Sequence, residues 1–169
     1  MKTVQASFDV LLVDPFKWGA DWAWGISLIV LTVVIHILGL GLVGQRMVKL
    51  LARVQPRGPI PALVVVTGSA TLLATCLHGM EVSIWASAYL VLGASADFNS
   101  SMLYSLNAIT SYGHTELFLN DHWRLMGALE SLNGWLLFGL TTAFLFAVIQ
   151  SVWFTTHERP GVTGIFPGH

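Results

Sequence analysis

Long apolar segments alternate with short polar ones along this chain. Residues 25–45 contain no charged side chain and have His36 as their only titratable group, and as a helix they are long enough to cross about 30 Å of hydrocarbon. Residues 60–94 are almost unbroken apolar sequence, with no proline after Pro61, and would extend about 52 Å as one helix. We predict one long helix there that continues past the membrane surface. Residues 125–153 form the third predicted crossing.

A short apolar stretch, residues 102–109, lies between the second and third predicted crossings and is followed by a polar loop. It is too short to span a bilayer. Irregular backbone at membrane depth is permitted only where protein buries it or where it lines water. The pattern therefore predicts an all-helical integral membrane protein with three transmembrane helices and a re-entrant helix and loop between the second and the third.

The remaining segments are interpreted from their charges and aromatic residues. Residues 1–24 mix aromatic and charged side chains, which predicts an interfacial segment that is not a cleaved signal peptide. Residues 46–59 hold four of the eight Lys and Arg residues and no acidic residue, so the positive-inside rule predicts a cytoplasmic loop and an external N-terminus. Residues 154–169 are rich in Pro and Gly and are predicted to be a flexible cytoplasmic tail.

Composition narrows the class of protein further. Of the 169 residues, 54% are hydrophobic and 10% are charged, against about 25% charged in soluble domains, and the mean hydropathy is +0.70. The net charge of −1 offers no basic surface for nucleic acid, so no nucleic-acid partner is expected. The single cysteine, Cys76, excludes a disulfide framework within one chain. The remaining class is an integral membrane protein in contact with the lipid bilayer.

Residues 103–115 read LYSLNAITSYGHT, which resembles the pore helix and filter of small bacterial ion channels of the two-transmembrane, potassium-channel-like family. Residues 122–148 are similar to the inner helix of that family. The resemblance makes residues 60–153 a pore-like module of outer helix, pore helix, filter-like loop and inner helix, with the first crossing as an addition. It implies passive cation transport in the bacterial inner membrane by a homo-oligomer. It also implies no catalytic activity and no cofactor, with a monovalent cation as the possible ligand.

The filter-like loop departs from the TVGYG pattern of potassium filters because it reads TSYGH. It consists of Thr110, Ser111, Tyr112, Gly113 and His114. Ser111 stands where the pattern has its first glycine, and serine reaches the backbone angles of glycine only with strain, so we expect that the carbonyl ladder of the filter is not reproduced and that potassium selectivity is altered or lost. The resemblance implies a homotetramer, and a trimer stays open because four-fold symmetry is required only by an intact filter.

Several polar residues are predicted to lie at membrane depth, where such groups are costly and usually face partners or water. The predicted intramembrane polar cluster is His78, Glu81, Asn107, Glu130 and Asn133. Two interpretations stay open: a site for a cation or a proton relay, and a polar clamp that holds the outer, pore and inner helices together. The resemblance suggests that Glu130 braces the filter-like loop.

Two further features leave alternatives open, and so does the function that the resemblance implies. Gly134 and Gly139 in the last crossing serve either as a hinge or as packing positions, and we favour packing. His36 and His78 have the residue type for axial ligands of a haem iron, which makes a membrane haem protein the third hypothesis. The second hypothesis, after passive cation transport, is a non-conducting structural or sensory protein on a channel scaffold.

Four polar residues of the predicted outer loop have the residue types of metal ligands. They are His114, Glu116, Asp121 and His122. Their spacing matches no strong metal motif, and we predict no metal site from the sequence.

Overall fold

The computed structural model describes residues 18–113 and 117–157. These residues are 88% helical and contain no strand. The four α-helices, with short 3₁₀ turns before the second and the fourth, are α1 (Gly19–Val54), α2 (Pro59–Val91), α3 (Phe98–Ile109) and α4 (Arg124–His157).

Three of these helices, α1, α2 and α4, are long and apolar enough to cross a membrane. This confirms the prediction of an all-helical protein, and the three long apolar helices are consistent with a multi-pass membrane protein. Helix α2 is one unbroken helix, as predicted from the absence of an internal proline. Helix α3 has only 12 residues, about 18 Å, and cannot span a bilayer.

Helix α1 is longer than the predicted crossing. It begins at Gly19, inside the segment predicted to be interfacial, and ends at Val54. Lys and Arg are good helix formers, and the first proline after the crossing is Pro56, so nothing in the sequence stops the helix earlier. The loop predicted over residues 46–59 was therefore wrong for residues 46–54.

Helix α4 also extends past its predicted end. It continues to His157, so the first four residues of the predicted tail, 154–157, are helical. The rest of the predicted tail, residues 158–169, lies outside the described residues, as do residues 1–17 of the predicted interfacial segment.

The chain packs into two compact units, and each long helix contributes to both. The first unit comprises the chain up to Ile35 together with Gly79–Phe138, and it includes α3. Its core contains the fully buried side chains of Trp85, Tyr89 and Met126.

The second unit comprises His36–His78 and Gly139–His169. Small apolar residues at helical spacing on α2, among them Ala62 and Ala70, pack there with Val148 of α4. Short side chains allow the helix backbones to approach closely, which is the usual basis of helix packing in membranes.

Helix α3 begins at an acidic N-cap. The Asp97 carboxylate accepts hydrogen bonds from the Ser100 amide at 3.0 Å and from the Ser100 hydroxyl at 2.7 Å. These hydrogen bonds hold the pKa of the Asp97 carboxyl below its ordinary value. The preceding turn is tied to the segment before α4, because Asn120 Nδ2 donates to the carbonyl of Gly93 at 2.7 Å. The start of α3 is therefore fixed by local contacts.

Candidate functional site

A row of small residues on α4 contacts the carboxyl end of α3. Gly127, Ser131 and Gly134 are spaced by four and three residues, so they share one face of the helix. Ser131 Oγ donates to the carbonyl of Ala108 at 2.8 Å. A Cβ atom placed on Gly134 would overlap the carbonyl oxygen of Ile109. The end of α3 therefore lies directly on the α4 backbone.

The two glycines proposed as hinge or packing positions differ from each other. Gly134 has the close backbone contact just described, which supports the packing interpretation at this position. A Cβ atom on Gly139 would have no neighbour within 4 Å. Packing among the described residues does not explain Gly139.

The filter-like loop begins as a helix cap. The Tyr112 amide donates to the carbonyl of Asn107 at 3.0 Å, and the Ser111 amide donates to the carbonyl of Ala108 at 2.9 Å. This pair of bonds is the Schellman motif, which needs a left-handed residue that is usually glycine. Ser111 takes that conformation with φ of 54°. The strain expected at this serine from the sequence is therefore present in the backbone.

The described part of the loop is exposed in the single chain. Ser111, Tyr112 and Gly113 are all exposed, and the Tyr112 side chain is 83% exposed. Gly113 also has positive φ, at 92°. Asn107 contributes its backbone carbonyl to the cap, and His114 lies outside the described residues.

We expect Ser111→Gly to stabilise the protein by about 1 kcal/mol, because glycine adopts the left-handed conformation without the steric cost of a Cβ atom. The measurement is the free energy of unfolding in mixed detergent micelles. Ser151→Gly is the matched control, since Ser151 is exposed inside α4 and glycine there should cost about 0.5 kcal/mol. A loss of stability in both variants would contradict the conformational argument.

Glu130 joins three helices within the first unit. The Tyr89 hydroxyl of α2 donates to Glu130 Oε2 at 2.6 Å, and Ser105 Oγ of α3 is hydrogen-bonded to Glu130 Oε1. Ser105 Oγ also lies 3.0 Å from the carbonyl oxygen of Val82. Glu130, Ser105 and Tyr89 are fully buried. We name these three side chains the Glu130 clamp.

The number of hydrogen bonds in the Glu130 clamp can be compared with the number of protons available to form them. Three hydrogen-bonding contacts involve the carboxyl and the two hydroxyls, and the Tyr89 and Ser105 hydroxyls supply one proton each. A protonated Glu130 carboxyl supplies the third, by donating to Ser105 while Ser105 donates to Val82. All three contacts are satisfied together in that state.

Asn133 makes a separate contact in the first unit. Its Nδ2 donates to Thr32 Oγ1 at 2.9 Å, and Thr32 Oγ1 lies 2.8 Å from the carbonyl of Leu28 in its own helix. Asn133 and Thr32 are fully buried, so this bond links α1 to α4 away from water. Glu81 is also fully buried. Among the predicted cluster residues of the first unit, Glu130 and Asn133 make hydrogen bonds to side chains of other helices.

His36 and His78 lie together in the second unit. Both Nε2 atoms are hydrogen-bonded to Thr141 Oγ1, at 2.9 and 3.0 Å, and the ring centroids are 5.0 Å apart. A haem would have to place its porphyrin plane between the two rings, and rings that converge on one hydroxyl leave no space for it. This geometry disfavours the haem hypothesis.

Sequence reasoning missed the hydroxyl partners of these groups. They are Thr32, Tyr89, Ser105, Ser131 and Thr141. Each stands in an apolar helical segment, where a polar group needs a partner. A hydroxyl within an apolar segment therefore indicates that a partner exists. The sequence spacing does not show which group on another helix that partner is.

Comparison with protein-family models, with curated proteins and with solved structures finds no match for this chain. In the described residues the fold defines an all-helical protein with three helices long and apolar enough to cross a membrane and one short helix, α3, packed on the last of them.

Proposed function

We propose that this chain forms a potassium-channel-like homo-oligomer that lets monovalent cations move passively across the bacterial inner membrane, with altered or lost potassium selectivity. Its N-terminus is external and its C-terminus is cytoplasmic. The observation that carries the proposal is the exposed loop after α3, which follows a helix too short to span a bilayer.

The backbone of this loop supports the proposal. Ser111 and Gly113 have positive φ, whereas Tyr112 between them does not. These two positions correspond to the glycines of the TVGYG pattern. Positive φ at these two positions matches the glycines of potassium filters, in which backbone carbonyl oxygens replace the hydration shell of the ion. Serine in place of the first glycine is the reason to expect changed selectivity.

Support of the loop by helix contacts is also consistent with this function. The small residues of α4 and the Glu130 clamp hold α3 at its carboxyl end and at its middle. A loop that coordinates ions needs such a rigid base, because ligand positions must stay within a few tenths of an ångström.

Assembly is required because one loop supplies only one segment of a ring. Helix α4 leaves large apolar side chains exposed in the single chain, among them Trp135, Phe138 and Phe146. Lipid and further copies of the chain are the surfaces that cover them. A homotetramer follows from the resemblance, and a trimer satisfies the same need for closed symmetry.

Flux from potassium-loaded and sodium-loaded liposomes tests the proposal. We expect cation efflux above that of protein-free liposomes. Tyr112→Ala should change the rate or the potassium-to-sodium ratio severalfold, because Tyr112 lies in the ring-forming loop. Phe118→Ala is the matched control, since Phe118 is a similarly exposed aromatic residue, at 67%, just outside the loop. Its flux should equal that of the wild type.

Absence of flux for either cation, at any pH or voltage, would refute the channel function. An intact oligomer without flux would favour the second hypothesis, a structural or sensory protein on the same scaffold. The bulky side chains exposed on the last part of α4, including Phe146 and Trp153, are of the kind that would fill an axis.

A further inference from the structure

The His36, His78 and Thr141 side chains form a polar group that the proposed cation path does not use. His36 is fully buried, and His78 and Thr141 are half-buried, within the second unit. They come from α1, α2 and α4 respectively. Titratable side chains at membrane depth generally mark a functional site. We name this group the His–Thr–His cluster.

The two rings of this cluster share one hydroxyl. The Thr141 hydroxyl has one proton, so it can donate to only one imidazole nitrogen, and at least one ring donates its N–H to the Thr141 oxygen. A neutral imidazole carries an unprotonated Nε2 atom in one of its two tautomers. An unprotonated imidazole nitrogen is the form that ligates a metal ion.

The spacing of the two nitrogens suits a first-row transition metal. Each histidine offers a ring nitrogen that lies within 4.8 Å of a ring nitrogen of the other. Zinc binds imidazole at about 2.0–2.1 Å, which places two ligating nitrogens about 3.4 Å apart in a tetrahedral site. Small ring rotations away from Thr141 cover that difference.

The residue types select the class of ion. Imidazole ligands suit zinc, copper, iron and nickel, whereas potassium, magnesium and calcium prefer oxygen.

We propose that His36 and His78 bind a divalent transition-metal ion, with Zn²⁺ as the test ion, through their Nε2 atoms in place of their hydrogen bonds to Thr141. The bound ion links α1 to α2. This site is separate from the filter-like loop and does not depend on conduction.

Zinc content of the purified protein tests the site. The protein, carrying no polyhistidine tag, is equilibrated with excess ZnCl₂ in detergent, passed through a desalting column and analysed for metal. We expect about one zinc ion per chain. His36→Ala and His78→Ala should each lower the bound zinc at least tenfold. His122→Ala is the matched control and should bind zinc as the wild type does, because His122 is exposed in the 3₁₀ turn before α4.

A second measurement covers the case in which the histidine variants do not fold, as judged by circular dichroism. Co²⁺ added to the wild type should give the visible absorption of a nitrogen-ligated tetrahedral site, and Zn²⁺ should abolish it. A wild type that binds no metal, unchanged zinc in both cluster variants, or loss of zinc in His122→Ala would each overturn the proposal. None of these outcomes bears on cation flux, so the two proposals fail independently.

Discussion

Replacing Gly134 with alanine should lower the free energy of unfolding by about 3 kcal/mol. The added Cβ atom would overlap the carbonyl oxygen of Ile109, a backbone atom that cannot rotate away as a side chain does. Helix α3 must therefore move off α4, and the Ser131 bond to Ala108 is lost with it. Overpacking of this kind commonly costs 1–3 kcal/mol, and a backbone neighbour is expected to give the upper end of about 3 kcal/mol. Reversible unfolding in mixed micelles measures the loss.

The same substitution at Gly139 is the control. Alanine there meets nothing within 4 Å in the described residues and raises helix propensity, so stability should stay equal or rise by up to about 1 kcal/mol. Equal losses at the two positions would contradict the close approach of α3 to Gly134. In liposomes, Gly134→Ala should also impair flux, because the loop after α3 would shift with the helix.

Removal of the Glu130 side chain is the second change with a large expected effect. Glu130→Ala leaves the buried Tyr89 hydroxyl without its acceptor and opens a cavity between α2, α3 and α4. Unsatisfied buried hydroxyls and lost packing together should reduce the free energy of unfolding by about 3 kcal/mol. Unfolding in mixed micelles again provides the measurement.

Glu130→Gln separates the hydrogen bonds of the carboxyl from its charge. A glutamine amide has the shape of a protonated carboxyl, so its oxygen can accept from Tyr89 and its NH₂ group can donate to Ser105. This variant should keep stability within about 1 kcal/mol of the wild type. A loss as large as that of Glu130→Ala would mean that the clamp requires a carboxylate anion, and the proton count given for the clamp would be wrong.

The long helices were predictable because their signal is local. A run of apolar residues long enough to cross a bilayer can be recognised from one continuous segment of the sequence. Helix α2 was correctly expected to be unbroken. Helix ends were less predictable. The basic segment after residue 45 was predicted to be a loop because of its charge. Its residues favour helix, and α1 continues to Val54.

The buried polar contacts were predictable only in part. The cost of polar groups in hydrocarbon marked Glu130 and Asn133 as residues that need partners, and both are fully buried and hydrogen-bonded. Their partners, Tyr89 and Thr32, are 41 and 101 residues away, and apolar helices allow many rotational settings that the sequence does not rank. The row of small residues on α4 was likewise half-recognised, because Gly134 was noted without Gly127 and Ser131.

The single cysteine gives the chain one natural reporter position. Cys76 is the only thiol in the sequence and its side chain is exposed on α2. One spin label per protomer can therefore be attached to the unmodified protein. In a ring of four, such labels show two separations in a ratio of about 1.4, whereas a ring of three shows a single separation. The order of symmetry, on which the shape of any central path depends, can thus be read without introducing a substitution.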